Sequence, residues 1–452
     1  MRPSSITHRR THFGAFAATL LAGATLAAGC EGVDGEGLDP RESLAADMAL
    51  ELETTDTTCA SATTLAALVT CIRGQMPRKD SDGYIPPTDA QRAELRSVVS
   101  SMLNGHCDFA LPTHLAGVMR LSRFTDGENG KTYCVLMEVE DADADGYVDR
   151  GFGTFIVDPT ASRELVQEAP HPLADAETEV QAVDVFKGTN SRGYLMCGAH
   201  RLANPEASTC DPDYHEADCA HDTSTMFHAA ALEIDAFYGG RPHHQIQWHG
   251  MADETCASVD AYVSHGLSTQ PPAGSVSRAL AVAAVEHNPT WVAANPGSDT
   301  CTLNATDNVQ GRHLNGTAEP NVCTTAAAAS TDRFVHIEQH RDMRVAWSWL
   351  SPVAETFPVP APTPPTSLAA TAGNAQVTLS WVASNGASGY RVLRSTKSGG
   401  PYSTVATGVL TTGWVDRTVK NGTTYHYVVR AQNPLGTSVY SSAVSATPAL
   451  GY

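Results

Sequence analysis

The order of apolar and polar residues predicts two short helices near the start of the folded chain. Apolar side chains recur every three or four residues over 65–72 and again over 95–103, which is the spacing of one helix face. Thr88, followed three residues later by Gln91, is a capping-box signature at the start of the second helix. Residues 58–130 are therefore expected to form a small helical cap on the domain that follows.

Beyond residue 130 the pattern changes to short apolar runs that alternate with helical periodicity. Strands are predicted at 133–139, 153–157, 194–197, 245–248, 261–264, 291–293 and 333–337. Helices are predicted near 176–187, 222–237, 275–287 and 340–350. Strands that alternate with helices favour an α/β domain with a mostly parallel sheet, here over residues 131–350.

The last part of the chain has an all-β pattern. Residues 351–366 are rich in proline, which predicts a stiff polyproline II linker and a domain boundary. Residues 367–448 contain no cysteine and many short alternating runs. We expect this segment to form an immunoglobulin-like β-sandwich.

Segment 367–448 resembles the fibronectin type III family over nearly its whole length. The resemblance rests on Trp381 in an early predicted strand and on the stretch 422–433, where Tyr425 takes the family's tyrosine-corner position. In bacteria such modules are usually attached to secreted hydrolases as spacers or surface binders. The resemblance therefore implies a sandwich fold and leaves the ligand of this domain open.

Composition narrows the classes of function. The 452 residues are 42% hydrophobic and 17% charged, so the chain can bury a large core. The formal net charge of −20, from 49 acidic and 29 basic residues, repels phosphate backbones and argues against nucleic-acid binding. Eleven cysteines indicate an oxidising compartment.

Residues 1–29 have the order of a bacterial export signal. A basic start without acids precedes an apolar run over 13–28 that is too short to span a bilayer. Small residues directly before Cys30 resemble the bacterial lipobox, in which the cysteine is lipidated; cleavage as an ordinary secretory peptide is the alternative. Residues 30–57 are acidic and lack aromatics, which predicts a solvated tether. The expected protein is an exported lipoprotein, anchored to a membrane at the cell surface or in the periplasm.

Ten cysteines remain when Cys30 is set aside, and an even number fits a set of disulfides. The short spacings suggest Cys59–Cys71 and Cys210–Cys219 as local bridges, and the other pairings stay open. None of the spacings is CxxC, so a cysteine zinc site is not expected.

Residues 141–149 match the first nine positions of a DxDxDG calcium loop. The carboxylates alternate along it: Asp141, Asp143, Asp145 and Asp149. Gly146 permits the sharp turn that such a loop needs. An EF-hand is not expected, because Phe152 takes the place of the bidentate glutamate and the flanks look like strands. The open alternatives are a weak structural calcium site and an acidic hairpin turn.

Three side chains with catalytic chemistry lie at the ends of predicted strands. His171 follows one apolar run, His249 ends a second and Glu338 ends a third. In a parallel sheet the carboxyl ends of the strands form a ligand crevice at one edge. Two histidines, a carboxylate shortly after His171 and a separate glutamate match a catalytic zinc site with an open fourth position. The glutamate is then the general base and acid.

The residues around these positions are similar to the poly-γ-glutamate hydrolase family, with carboxypeptidases and cell-wall amidases as more distant relatives. The likeness covers residues 160–350. It rests on Pro-His at His171, on Gly-Ala-His-Arg at 198–201, on His-Gly at His249, and on Ile-Glu at Glu338 followed by Met-Arg. The resemblance implies zinc-dependent hydrolysis of an amide bond, with Glu338 as the catalytic glutamate.

The resemblance also implies the set of zinc ligands. His171, Asp175 and His249 occupy the corresponding positions. The second ligand departs from the family, because the glycine-rich motif with a glutamate is replaced here. Asp175 keeps the family's spacing to Thr178, and Glu177 is the alternative ligand.

Three further residues are expected to contact the substrate. Arg312, in a polar and glycine-bearing loop, and Arg344, beyond the Glu338 strand, can each clamp a substrate carboxylate. His200 follows a predicted strand and is expected to line the cleft. A γ-glutamyl polymer, a cell-wall peptide and a peptide C-terminus are equally compatible substrates.

Other functions are weaker matches to the sequence. His221 lies in a Cys-Ala-His-Asp-Thr stretch that resembles a histidine acid phosphatase motif, but the chain lacks the Arg-His-Gly motif of that family. No Gly-x-Ser-x-Gly elbow or phosphate-binding glycine loop is present, which argues against serine hydrolases and nucleotide binders. A non-enzymatic adhesion or binding lipoprotein remains the alternative to a zinc-dependent hydrolase.

Overall fold

The computed structural model describes residues 57–359, 362–433 and 436–450. The predicted export signal, the predicted lipidation site Cys30 and the tether up to residue 56 lie outside the described residues. Within the described ranges, no helix combines the length and the apolar character that a membrane crossing requires.

Helices of 6 to 15 residues account for the helical periodicity of the sequence. They are α1 (Leu65–Gly74), α2 (Asp89–Leu103), α3 (Thr178–Thr189), α4 (Met226–Tyr238), α5 (Val276–His287), α6 (Val309–Leu314) and α7 (Ala346–Thr356). Thr64 and Ser275 each accept a hydrogen bond from a first-turn N–H, which satisfies a donor that has no partner inside the helix. Thr88 and Gln91 form the predicted capping box at α2.

Nine strands join in one large sheet. They are β1 (Met119–Thr125), β2 (Thr132–Glu138), β3 (Thr154–Val157), β4 (Arg163–Ala169), β5 (Ser191–Met196), β6 (His244–Gly250), β7 (Ala261–Ser264), β8 (Ala293–Ala294) and β9 (Phe334–Gln339). Their order in the sheet is β1-β2-β3-β5-β4-β6-β9-β7-β8.

The sheet is mixed, so the expectation of a mostly parallel sheet was wrong. Only the centre, β5-β4-β6-β9, and the edge pair β7-β8 are parallel. Strands β1, β2 and β3 are antiparallel to their neighbours, and β7 is antiparallel to β9. The links between β1, β2 and β3 contain no crossover helix, and such links can only join antiparallel strands. Because β1 belongs to this sheet, residues 58–130 are more than a helical cap.

Helices cover both faces of the sheet. On one face, α1, α3, α5 and α7 share a buried apolar cluster that includes Phe186, Trp248 and Trp349. On the other face, α2 and α4 pack around Phe155 and Phe227. Helices on both faces of a sheet are the layering expected of an α/β domain, and the strand directions are the part that differs.

Helix α7 continues through residues 351–356, so the linker predicted over 351–366 began too early. Pro352 lies inside this helix and has no N–H to bond to the carbonyl of Ser348, four residues earlier. The side-chain amide of Asn288 donates to that carbonyl at 3.0 Å instead. A partner from the end of α5 therefore stabilises a proline position that the sequence marks as a boundary.

Residues 366–446 form a sandwich of two sheets. The strands are β10 (Thr366–Gly373), β11 (Gln376–Val382), β12 (Gly389–Ser395), β13 (Ser403–Val409), β14 (Gly413–Asp416), β15 (Tyr425–Asn433), β16 (Gly436–Thr437) and β17 (Val444–Ala446). One sheet contains β10, β11 and β14, and the other contains β12, β13, β15, β16 and β17. Trp381 and Tyr390 are buried between them with ring centroids 5.3 Å apart. The Tyr425 hydroxyl accepts a hydrogen bond from the Lys420 N–H at 3.1 Å, as in a tyrosine corner. The C-terminal domain has the expected fibronectin type III fold.

One polar contact joins the sandwich to the α/β domain. The Asn385 amide donates to Glu164, and its oxygen accepts from Arg192 Nη2 at 3.3 Å. Arg192 also pairs with Glu164 at 3.1 Å, and the Tyr238 hydroxyl donates to the same carboxylate. Every charged group at this contact therefore has a partner.

Candidate metal centre and its cavity

The parallel centre of the sheet brings the predicted site residues to one edge. His171 lies two residues beyond the end of β4, His249 lies near the end of β6, and Glu338 lies near the end of β9. His249 and Glu338 are direct neighbours in the parallel register of β6 and β9. The three strand ends meet as the sequence predicts because β4, β6 and β9 are parallel neighbours, although the sheet as a whole is mixed.

Three of the predicted zinc ligands converge on one point. The ligand atoms of His171, Asp175 and His249 all lie within 4.8 Å of one another, and all three side chains are buried. Asp175 Oδ2 lies 3.4 Å from His171 Nδ1 and 3.2 Å from His249 Nδ1. A turn with a hydrogen bond from the Asp175 N–H to the His171 carbonyl places this pair on the same side of the backbone.

The outer nitrogens of both imidazoles face oxygen acceptors. His171 Nε2 lies 2.9 Å from Asp218 Oδ1, and His249 Nε2 lies 3.3 Å from the Gln247 amide oxygen. An imidazole that donates from Nε2 presents a lone pair at Nδ1. Both lone pairs then point at Asp175, which is the arrangement that metal-binding histidines adopt when an outer partner orients them. His171 Nδ1 is buried and makes no hydrogen bond.

The electrostatics favour an ionised Asp175 and a neutral His249, whereas burial lowers the pKa of His171 but is outweighed by the charges of Asp218 and Asp175, which raise it. Burial acts to raise the pKa of Asp175, but the two flanking histidines outweigh it and hold that pKa well below its usual range. Burial lowers the pKa of His249 to about 4, so this imidazole is neutral at physiological pH. An ionised carboxylate and a neutral imidazole are the forms that bind a metal ion.

The structure separates the two candidates for the second ligand. Asp175 belongs to the cluster, whereas Glu177 lies at the start of α3 with a left-handed φ of 75°. The Glu177 side chain is 53% exposed and pairs with Arg341 at 3.0 Å. Glu177 is therefore a surface ion-pair residue in this structure.

Glu338 lies beside the cluster and shares a second group of donors with His249 and His336. Burial, together with the nearby negative charge of Asp175, raises the pKa of Glu338 to about 8. His336 Nε2 lies 3.4 Å from Glu338 Oε1. Glu338 is thus a carboxyl group that can be protonated or ionised near neutral pH, as a general acid and base requires.

These residues line a cavity of about 270 Å³. Its lining includes His171, Asp175, His249, His336 and Glu338 on the sheet side. The opposite wall is the continuous segment 302–308, named here the wall loop. Arg201 also lines the cavity and lowers the pKa of Glu338 through its charge. The cavity therefore combines the metal-binding donors with one permanent cation.

Four residues of this region were not identified from the sequence: Tyr214, Asp218, His221 and Asp307. They lie on loops that the strand pattern does not cover, although His221 lies in the Cys-Ala-His-Asp-Thr stretch and Asp307 begins the polar loop that contains Arg312. The spacing Asp218-x-x-His221 was a usable signal, because Asp218 Oδ1 lies 3.0 Å from His221 Nδ1. Tyr214, His221 and Asp307 line the cavity, and Asp218 lies behind them between His171 and His221; these positions follow from tertiary structure alone.

None of the three predicted substrate contacts, Arg312, Arg344 and His200, is among the residues that line the cavity. Arg312 donates to the carbonyls of Thr306, Val322 and Cys323, so it orders loops. Because its guanidinium is hydrogen-bonded to these carbonyls, the expectation that Arg312 binds a substrate carboxylate is corrected. His200 is buried and accepts a hydrogen bond from the Leu202 N–H, while its neighbour Arg201 reaches the cavity.

Arg344 packs directly behind the metal-binding cluster. It donates to the carbonyls of Ala176 at 2.8 Å and Met251 at 3.3 Å. A side chain on Gly250 would overlap the Arg344 guanidinium, so the glycine after His249 is required by this close approach. Arg344 lies close enough to Glu338 and Asp175 for their charges to act on it, but it is not among the cavity-lining residues.

The acidic loop predicted to bind calcium brings part of its carboxylates together. Asp141, Asp143 and Asp149 offer oxygens within 4.8 Å of one another, and Asp145 is not part of that group. Asp141 accepts hydrogen bonds from the N–H groups of Asp145 and Gly146. The loop is stabilised by its own backbone donors, and calcium binding stays a prediction.

All ten described cysteines form disulfides. Cys59–Cys71 is confirmed, and Cys210–Cys219 was wrong. The other bridges are Cys107–Cys134, Cys197–Cys219, Cys210–Cys323 and Cys256–Cys301. Short spacing failed at Cys210 because the chain between it and Cys219 turns away, so that Cys219 meets the end of β5 instead.

Comparison with known proteins reaches only a small part of the chain. No family model matches it. A segment of 76 residues, 17% of the chain, is 43% identical to an amylopullulanase of Thermoanaerobacterium saccharolyticum and covers 6% of that protein. The corresponding figures for an amylopullulanase of Thermoanaerobacterium thermosulfurigenes are 42% over 76 residues and 4%. The chain thus spans only a small fraction of the curated relatives it matches.

Solved structures match over a similarly short part. An Fn3-like protein from Clostridium thermocellum is 39% identical, with a TM-score of 0.19, and the match covers 21% of this chain and 100% of that one. The FN3tt structure is 24% identical with a TM-score of 0.19 and 20% coverage of this chain. None of these likenesses assigns an activity to the α/β domain.

Proposed function

We propose that this protein is an exported, lipid-anchored hydrolase of amide bonds that uses a zinc ion held by His171, Asp175 and His249. The observation that carries the proposal is the convergence of both Nδ1 atoms on one Asp175 oxygen, with each Nε2 facing an oxygen acceptor. Two imidazoles and one carboxylate are a donor set of catalytic zinc sites, which keep a fourth position open.

In the proposed hydrolysis, the zinc site and Glu338 have separate roles. A bound zinc ion supplies Lewis acidity, which makes water more nucleophilic at neutral pH and polarises a carbonyl group. Glu338 takes the proton from the attacking water on a carboxylate oxygen and delivers it to the nitrogen of the leaving amine. His336 and His249 flank the Glu338 carboxylate and restrict its position.

The substrate class follows from the family resemblance and the charge of the cavity. A γ-glutamyl polymer, a cell-wall peptide and a peptide C-terminus each carry a carboxylate near the scissile amide. Arg201 is the cavity-lining guanidinium, and it takes over the carboxylate-binding role first assigned to Arg312. Arg344 supports the floor beneath Gly250 instead.

Export is proposed on two grounds. Five disulfides suit an oxidising compartment. The lipobox-like residues before Cys30 suit lipidation. Expression of the full chain in a bacterium with radiolabelled palmitate tests this: the label is expected in the parent and absent from Cys30→Ser, whereas equal labelling contradicts the anchor.

The zinc site is tested by elemental analysis of the full chain folded under oxidising conditions. One zinc per chain is expected in the parent, and His171→Ala and His249→Ala are expected to lose it. His265→Ala is the matched control, because His265 is equally buried and lies outside the cluster. Absence of zinc in the parent after zinc is supplied overturns the hydrolase and leaves a non-enzymatic binding lipoprotein as the working alternative.

Catalysis is tested separately with Glu338→Gln on γ-glutamyl, muramyl-peptide and C-terminal peptide amides. The variant is expected to retain zinc and to lose roughly 100- to 10,000-fold in kcat, the usual contribution of a positioned acid–base group. A variant with unchanged kcat contradicts the role of Glu338, whatever its zinc content.

A further inference from the structure

Four residues form an unbroken chain of contacts from the zinc ligand His171 to the opposite side of the cavity. His171 Nε2 contacts Asp218 Oδ1 at 2.9 Å, and His221 Nδ1 contacts the same oxygen at 3.0 Å. His221 Nε2 faces Asp307 Oδ1 at 3.7 Å, and the Tyr214 hydroxyl donates to Asp307 Oδ2 at 2.7 Å. Asp307 belongs to the wall loop, so these contacts connect His171 to that loop.

The chain is rigid at its centre. The rings of Tyr214 and His221 stack with centroids 3.7 Å apart and an angle of 3° between their planes. Asp218 is fully buried and also accepts a hydrogen bond from the Ala220 N–H at 3.0 Å. The Ala220 carbonyl accepts from the Val309 N–H at 2.9 Å, directly after the wall loop. Backbone and side chains therefore connect the same two segments in parallel.

The wall loop is itself a stiff element. The Cys256–Cys301 disulfide holds its start, and the Tyr262 hydroxyl donates to Asn304 at 2.8 Å. Ala305 adopts a left-handed φ of 54°, which a loop retains only when its surroundings impose it. In a stiff loop, a displacement of one residue also displaces its neighbours, so a contact elsewhere on the wall loop can shift Asp307.

We infer that Tyr214, His221 and Asp307 are positioning residues that set the orientation of the zinc ligand His171 from the substrate side of the cavity, through Asp218. The inference rests on the proposed zinc site and goes beyond it, because that site assigns no role to these residues, although His221 and Asp218 also lie within metal-binding distance of His171. The physical reason is that Asp218 has one oxygen shared by His171 and His221, so the place of one imidazole fixes the place of the other.

A consequence is that contact with the wall loop and binding of zinc are coupled. Any ligand that presses on the wall loop moves Asp307 and, through His221, the carboxylate that orients His171. By linkage, a change in zinc affinity caused by the wall loop equals the change in wall-loop ligand affinity caused by zinc. The residues thus couple occupancy of the cavity to the geometry of the metal centre.

The test measures zinc affinity of the full chain by competition with a chromophoric chelator. His221→Phe keeps the ring on Tyr214 and removes both nitrogen contacts, and it is expected to weaken zinc binding about tenfold, as outer-shell changes do. His221→Asn keeps an N–H donor toward Asp218 and is expected to restore most of that loss. Tyr214→Phe removes only the hydroxyl bonded to Asp307 and is expected to weaken binding by a smaller factor.

Tyr133→Phe is the matched control, since its hydroxyl contacts Asn129 far from the network. Thermal unfolding of each variant separates loss of affinity from loss of stability. If His221→Phe does not fold, Tyr214→Phe and Asp307→Asn decide the question. Unchanged affinity in the folded variants, with one zinc per parent chain, overturns the coupling alone. A parent that binds no zinc overturns the coupling together with the proposed function.

Discussion

Asp175 is a buried carboxylate between two buried histidines. This arrangement destabilises the folded protein unless a cation binds there. Moving one charged group out of water costs on the order of several kcal/mol. His171 compensates part of that cost, but the neutral His249 presents a lone pair to the same oxygen. A metal ion between the three donors removes this repulsion, which is the residue-scale reason for the proposed site.

Replacement of the second ligand gives a prediction at this scale. Asp175→Asn is expected to reduce zinc affinity by more than the roughly 10- to 100-fold that an outer-shell partner contributes. Glu177→Gln is the matched control and is expected to bind zinc like the parent, since Glu177 pairs with Arg341 at the surface. Chelator competition measures both, and loss of zinc in Glu177→Gln instead would reverse the assignment.

Glu168 is a second buried carboxyl group, three residues before His171. Burial raises its pKa to about 8, although the Gln247 amide donates to Glu168 Oε2 at 2.9 Å. Glu168 Oε1 has no hydrogen-bond partner. Because its pKa without perturbation is 4.5, the folded protein binds a proton that the unfolded chain releases between those two pH values.

The stability contributed by protonated Glu168 is present below pH 4.5 and is lost as the pH rises through about 8. Glu168→Gln keeps the shape and carries no charge, so its advantage over the parent is expected to grow across that window. Urea unfolding at pH 5 and pH 9 measures the difference. Exposed Glu128→Gln is the control, and an identical pH dependence in Glu168→Gln and the parent would refute the buried neutral carboxyl.

At the scale of elements, the direction of the strands determined which site residues could be predicted from the sequence. The ends of β4, β6 and β9 met as expected because these strands are parallel neighbours. The same argument did not apply to residues on loops: His221 lines the cavity and Asp218 contacts His171, and both lie on a segment that has no periodicity. Strand and helix patterns describe local backbone, and they contain no information about where a loop returns.

Disulfides place that loop, which leads to a prediction. Cys197–Cys219 joins the end of β5 to the residue after Asp218, whereas Cys59–Cys71 joins the segment before α1 to the last turn of that helix. Removal of either bridge by double Cys→Ser substitution is expected to cost about 2–5 kcal/mol of stability.

Only the Cys197–Cys219 double variant is expected to weaken zinc binding as well, because only that bridge holds an outer partner of a zinc ligand. Denaturant unfolding and chelator competition on both double variants provide the comparison. Equal zinc affinity in the two would show that the bridge has no part in forming the site.

The predicted linker began too early because a contact between residues far apart in the sequence allows α7 to continue past Pro352. Pro352 normally ends a helix because it removes a hydrogen bond from the carbonyl four residues earlier. Here Asn288, distant in the sequence, donates to that carbonyl. Long-range partners of this kind override a local signal, as they also do for the left-handed Ala305.

At the scale of the whole molecule, the cavity is formed by the α/β domain. The cavity-lining residues lie between His171 and Glu338, and none comes from residues 366–446. The contact through Asn385, Arg192 and Glu164 lies at the start of β4 and β5, whereas the cavity lies at their ends.

A chain that ends at residue 359 is therefore expected to bind one zinc with the affinity of the full chain. Its stability is expected to fall only modestly, because the lost contact is a small polar one, and Asn385→Ala in the full chain should reproduce part of that fall. Elemental analysis and thermal unfolding check both. Loss of zinc on truncation would show that the sandwich supports the cavity.

The sequence by itself determined the presence of a C-terminal domain with a fibronectin type III fold, four residues of the candidate site and one of the five disulfides. Each of these rests on local patterns or on motifs at short spacing. Only tertiary structure decided the mixed strand directions, the remaining disulfides, the choice of Asp175 over Glu177 and the network from His171 to Asp307. These features depend on contacts between residues far apart in the chain, where the free energy of packing and hydrogen bonding outweighs local preference.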